Sequence, residues 1–173
     1  LPVQVKSPLQ YQPILGSLEA VRLLAQAGFV CPVITVQSRI EQGTYSESTF
    51  RRWFARLQHV WALEGAPLLD LYLCPHSRSA DCACHKPKPK LYLDAAFDHD
   101  IDCARSYVVG DTLDDLQAGQ AIGAKTCLVK TGWGERYVEE HGHEADFVGV
   151  NLLAVAQWII AQPSAPMLDP HTP

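Results

Sequence analysis

From Gly16 to about Pro163, short apolar runs alternate with longer stretches whose apolar residues recur every three or four positions. No other feature narrows the fold as much. Strands separated by helix-length segments pair in parallel, and each crossover lays a helix on one face of the sheet. The runs Phe29 to Thr35, Leu69 to Leu73, Ser106 to Val109 and Thr126 to Lys130 read as strands, with Phe147-Val148 a short fifth. Ser17 is placed to cap a helix carrying Leu18, Val21, Leu24 and Ala25, which Gly28 ends. Ser46 opens a longer helix whose stripe is Phe50, Trp53, Phe54, Leu57, Val60 and Trp61, read as core packing. Lys90 to His99, Leu113 to Ile122 (closed by Gly123) and Leu152 to Ala161 complete the helices. The expected class is α/β, a parallel sheet covered on both faces.

A chain of 173 residues, 47% hydrophobic, suits one domain with a full core. Residues 1–162 are expected to form it, and residues 163–173, with four prolines, a disordered tail. The net charge of −5 offers no field for nucleic acid. No apolar run approaches the roughly 20 residues that cross a bilayer, and Leu1 to Gln12 lacks the apolar centre of a signal peptide. The sequence opens on Leu1 and its only methionine is Met167, so a processed or truncated start is expected. Six cysteines are too few for a disulfide scaffold, and a reducing cytoplasm fits them best. Cys31, Cys103 and Cys127 read as small core residues.

In such a sheet, ligands bind beyond the carboxyl ends of the strands. Three polar segments follow strands and should meet there: Thr35-Val36-Gln37-Ser38, the Cys74 to Lys86 loop, and Asp111 to Asp115. The loop is the most distinctive. Cys74 and His76, five spacers, then Cys82 and Cys84 fill eleven positions, so three sulfurs and an imidazole can surround one tetrahedral Zn²⁺. Four protein ligands would close the shell and make the metal structural. A disulfide or unrelated surface thiols are the alternatives; the compartment weighs against the first and the position of His76 against the second.

Gly110-Asp111-Thr112-Leu113-Asp114-Asp115 admits two readings. Carboxylates at a strand end suit Mg²⁺, and acids also favour a helix start. Lys86, held between Cys84 and Pro87, offers a fixed ammonium for a phosphoryl group. Thr35, Gln37 and Ser38 offer hydroxyl and amide donors for phosphate oxygens.

Together these segments resemble the haloacid dehalogenase superfamily, a three-layer Rossmann-like fold. The zinc loop resembles that of its phosphatases for D-glycero-D-manno-heptose 1,7-bisphosphate and for histidinol phosphate. The likeness runs from about Ser7 to Leu153, and its most specific part is Cys-x-His…Cys-x-Cys running into Lys-Pro. It implies that Thr35, Gln37, Ser38, His85 and Lys86 bind phosphate, with Thr35 and Lys86 catalytic, and that Asp111 binds Mg²⁺ with Asp115 as supporting acid. It further implies a cytoplasmic monomer that hydrolyses a small phosphate ester through an aspartyl-phosphate. Lys130-Thr131-Gly132-x-Gly134 and Gly43-Thr44-Tyr45-Ser46-Glu47 look more like the heptose branch than the histidinol branch.

The departures are as informative. The superfamily's Asp-x-Asp, which supplies nucleophile and general acid, should end a first, central strand, yet no acid precedes Glu19. Val36, Arg39 and Gln42 replace an asparagine, a glycine and a substrate-holding arginine, and His85 stands where an arginine is usual. Pro32 falls in a predicted internal strand, where it would remove a ladder hydrogen bond. Two expectations of different kinds follow: a phosphatase inactive as given for want of its nucleophile, and a non-catalytic zinc-binding remnant. Leu1, Val3 and Val5 alternate as a replacement central strand would.

Overall fold

The structure is a computed structural model, and it describes residues 11–163. The proposed Leu1 to Val5 strand and nearly all of the predicted tail lie outside this range. The elements run in the order α1 (Ser17–Gln26), β1 (Val33–Val36), α2 (Glu47–Leu63), β2 (Leu71–Cys74), α3 (Lys90–Asp98), β3 (Tyr107–Gly110), α4 (Leu113–Ala121), β4 (Lys125–Val129), α5 (Gly134–His141), β5 (Phe147–Gly149) and α6 (Leu152–Ala161). All strand pairs are parallel, as the alternation predicts. β1 pairs with β2 in the register Val33↔Leu71 to Val36↔Cys74. β4 lies between β3 and β5, with Tyr107↔Lys125 and Cys127↔Phe147 opening the two registers. Among the described residues no pairing joins β1 to β3, so the strands form a pair and a triplet.

Helices cover both faces. On one side, Ala20 and Leu24 of α1 and Val155, Ala156 and Ile159 of α6 close over Cys127 and Val129 of β4. Val21 of α1 continues this layer against Trp61 of α2. Another cluster joins Tyr92 of α3 and Ala118 of α4 to Val108 of β3, with Ile34 of β1 packed against it. The two groups of strands thus share a core through side chains. Val155 and Leu128 are fully buried, each contributing roughly 1.5–3 kcal/mol. Thr126, a buried hydroxyl in β4, is satisfied by Asp146, whose Oδ2 accepts from its N–H at 2.7 Å and its hydroxyl at 3.2 Å.

Several predicted features shift. Ser17 is not a cap: it is the first residue of α1, behind Gly16, which adopts φ 88 and makes no side-chain cap bond. Pro32 precedes β1 rather than lying within it, and the pairing toward β2 continues on either side of it, through Leu69 N to Cys31 O and Val33 N to Asp70 O. Val60 is exposed, because the buried face of α2 is narrower than its apolar stripe. Ser46 does cap α2, its Oγ accepting from Thr49 N at 3.2 Å. The helix α5 was not anticipated; its sequence GERYVEEH carries too few apolar residues to show a face.

Candidate active site and metal loop

β1 and β2 end side by side and release two loops from the same edge. Gln37 N extends their pairing by donating to Cys74 O at 2.8 Å, and Glu41 N reaches Pro75 O at 3.2 Å. The Thr35–Gln42 loop is thereby tied to the metal loop. Its side chains satisfy one another: Gln37 Nε2 donates to Thr35 Oγ1 at 2.9 Å, and Tyr45 OH donates to Gln37 Oε1 at 2.7 Å. Ser38 is half-buried beside them.

The ligand atoms of Cys74, His76, Cys82 and Cys84 all lie within 4.8 Å of one another. The sulfur separations are 3.1 Å (Cys74–Cys84), 3.4 Å (Cys82–Cys84) and 3.6 Å (Cys74–Cys82). His76 Nδ1 is 3.4 Å from the Cys84 sulfur and 3.8 Å from that of Cys74. A tetrahedron of thiolates about 2.3 Å from a metal has edges of roughly 3.7 Å, so the group is close to binding geometry. Burial pushes the Cys74 thiol up to about 12. Burial also opposes ionisation of Cys82, but hydrogen bonds from Cys84, Cys74 and the backbone prevail and bring it down to about 7. Three thiols this close cannot all ionise without a cation among them. Lys88 closes the loop from outside, its Nζ donating to Asp81 Oδ1 at 2.6 Å, to Cys82 O at 3.0 Å and to Asp81 O at 3.2 Å.

From Cys84 the chain runs directly to Lys86. Its ammonium donates to Asp115 Oδ1 at 2.6 Å, and Tyr92 OH donates to the same oxygen at 3.3 Å. Asp115 Oδ2 accepts from Thr112 Oγ1 at 2.7 Å and from Thr112 N at 3.2 Å. Both oxygens of this buried acid are therefore engaged by protein donors. Gly110 makes the close approach possible, since a Cβ there would collide with the Asp115 side chain. His85 turns its Nδ1–H to Lys86 O at 2.7 Å.

Asp111 follows β3, at the end of the strand. Its Oδ2 accepts from Trp133 N at 2.9 Å, in the turn after β4. Gly132, with φ 67, lets that turn approach; a Cβ there would strike Asp111 Oδ2. Burial pushes the Asp111 carboxyl above the usual carboxylate range. The Trp133 N–H opposes this, the charge of Asp115 adds to it, and Lys86 opposes it. A half-buried acid held this way, with oxygen as its only donor atom, fits a hard dication.

The metal loop is strapped to both walls. Ser77 N donates to Glu41 Oε2 at 2.7 Å, and Ser77 Oγ donates to the same oxygen. Its neighbour Arg78 forms an ion pair with Asp114 at the start of α4. Glu41, Arg78 and Tyr92 had no role in the sequence reading, because each meets its partner only through the fold. Thr112 forms a local capping box with Asp115, which its spacing of three residues before an acid could have signalled. For Tyr92, the helical stripe of α3 signals only a core position.

A model of HAD-hydrolase-like proteins matches residues 83–155, from the metal loop to α6. The D-glycero-beta-D-manno-heptose-1,7-bisphosphate 7-phosphatase of Neisseria meningitidis serogroup A is 34% identical over 168 residues, covering 95% of this chain and 90% of that protein. That of Pseudomonas putida is 36% identical over 156 residues, covering 90% and 89%. The crystal structure of D,D-heptose 1,7-bisphosphate phosphatase from Bordetella bronchiseptica, complexed with magnesium and phosphate, superposes with a TM-score of 0.83 at 33% identity, covering 91% of this chain and 88% of that one. The fold is thus that of the haloacid dehalogenase-like hydrolases. Within them the chain belongs to the family of D-glycero-beta-D-manno-heptose-1,7-bisphosphate 7-phosphatases.

Proposed function

We propose that this chain carries the phosphate-handling and metal-binding parts of a magnesium-dependent phosphatase for D-glycero-D-manno-heptose 1,7-bisphosphate. The observation behind this reading is the buried Lys86–Asp115 pair at the carboxyl edge of the strands, beside Asp111. Lys86 neutralises the transferring phosphoryl group, and Asp115 aims it. Thr35, Gln37 and Ser38 supply donors, with the Thr35–Gln37 bond opening toward the phosphate when it enters. His85, next to Lys86 in sequence, contacts the same group through its Nε2 side. Asp111 holds Mg²⁺, with Asp115 supporting it through Lys86 rather than by direct contact. When bound, the dication supplies charge neutralisation on the phosphoryl oxygens. Cys74, His76, Cys82 and Cys84 hold one structural Zn²⁺, which fixes the loop and does no chemistry.

In this reaction class a carboxylate attacks phosphorus, and a second acid protonates the leaving sugar oxygen and later activates water. No carboxylate precedes Glu19 in the sequence, so these residues alone are expected not to turn over. The protein is read as a cytoplasmic monomer. Among the described residues no helix is long and apolar enough to cross a membrane. Titration of the purified chain with inorganic phosphate in the presence of Mg²⁺ tests the reading: binding that is lost in Lys86→Met supports it, and unchanged binding refutes it.

A further inference from the structure

A bisphosphate that loses one phosphate must have its other phosphate held while the first reacts. We propose, on the reading of the substrate given above, that Arg78 of the metal loop receives this uncleaved phosphate, exchanging Asp114 for it, and so sets the preference for a bisphosphate over a monophosphate.

The placement comes from two consecutive residues of α4. Asp115 holds Lys86, and its neighbour Asp114 holds Arg78. Two cations from one loop are therefore gathered over the same helix start, on side chains whose Cα atoms are about 3.8 Å apart and diverge around the helix. Their environments differ. Lys86 is buried against an acid with four donors, whereas Arg78 is 69% exposed and Asp114 25% exposed. An exposed pair of this kind contributes little, so exchange of its carboxylate for a ligand is cheap. A phosphate dianion carries more charge than Asp114 and matches the planar fork of a guanidinium through two parallel bonds.

The backbone beneath Arg78 is fixed, while its side chain lies at the surface, ion-paired with Asp114. Ser77 is bound to Glu41 on the opposite wall, and the metal ligand His76 lies two residues before Arg78. Two neighbouring cations are engaged by acceptors of their own. Lys88 donates to three acceptors within the loop, and Lys90 pairs with Asp94 on α3.

Calorimetric titration in Mg²⁺ with heptose 1,7-bisphosphate and with heptose 7-phosphate tests the assignment. Arg78→Ala should weaken the bisphosphate about tenfold, the loss of one charge-assisted contact, and leave the 7-phosphate unchanged. Arg78→Lys should fall between. Asp114→Ala should act in the opposite direction and tighten the bisphosphate, because it removes the competitor. If Arg78→Ala weakens both compounds equally, or Asp114→Ala also weakens the bisphosphate, the pair is only a strap and the proposal fails while the phosphatase reading stands. Loss of the preference in Lys130→Ala but not in Arg78→Ala would assign the second phosphate to another cation and overturn it. If the unaltered chain binds neither compound, the substrate reading itself falls, and the role of Arg78 with it.

Discussion

Lys86 Nζ lies 2.6 Å from Asp115 Oδ1, with only 15% and 7% of the two side chains exposed. Asp115 accepts three further bonds, from Tyr92 and Thr112, so donors other than the lysine also fix the acid. The ammonium is thus aimed by a rigid partner, and that partner begins the helix next to Asp111. Preorganised charge of this kind is what phosphoryl transfer demands of a protein.

Removing one member of the pair should cost more than removing both. Asp115→Ala leaves a buried ammonium and is expected to destabilise by about 3–5 kcal/mol. Lys86→Met combined with Asp115→Leu should cost clearly less. Urea unfolding of the two single variants and the double variant gives the coupling, and additive losses would show that the pair is not a unit.

The metal loop should hold one Zn²⁺ per chain. Metal analysis of the purified protein is expected to give near-stoichiometric zinc, and Cys82→Ser should release most of it. Chelation should lower the melting temperature, since ligand binding to the native state alone is folding energy. Full zinc retention in Cys82→Ser would remove Cys82 from the site.

Gly110 and Gly132 should resist even alanine. At Gly110 the new Cβ would enter the Asp115 side chain, and at Gly132 it would enter Asp111 Oδ2 from a left-handed backbone. Each substitution is expected to cost about 1–3 kcal/mol by overpacking. Gly132→Ala should in addition abolish any thermal shift on adding Mg²⁺. A retained shift would separate Asp111 from the metal.

Asp111 should show a pH signature without metal. Its carboxyl is pushed up in the folded protein, chiefly by burial, so the neutral form is the one folding favours. The resulting stability is present at acid pH and is lost as pH rises through the folded value. Asp111→Asn is therefore expected to stabilise the metal-free protein at neutral pH, with the gain vanishing below the ordinary carboxylate range. The same variant should not respond to Mg²⁺. A destabilised Asp111→Asn at neutral pH would contradict this.

What could be read beforehand divides by distance along the chain. The strands after Cys31 and before Cys74 and Gly110 were legible because apolar runs between helical stripes have few other interpretations. The grouping of Cys74, His76, Cys82 and Cys84 was legible because its spacing is local. The Arg78–Asp114 and Ser77–Glu41 straps were not, since each joins residues 36 positions apart. Tyr92 was hidden by its own helix, where a buried ring and a hydroxyl directed at Asp115 give the same apolar pattern. Ser17 misled because Gly16, one residue earlier, takes the left-handed conformation and begins the helix.

The central claim is that these residues handle phosphate and metals while the attacking carboxylate lies outside them. Its most direct test is phosphate release from heptose 1,7-bisphosphate in Mg²⁺, measured for this chain and for one extended upstream by a strand ending in Asp-x-Asp. The extended chain should release phosphate in a magnesium-dependent reaction that Lys86→Met abolishes, and the unextended chain should release none above background. Equal rates from both chains, or none from the extended one, would contradict the claim.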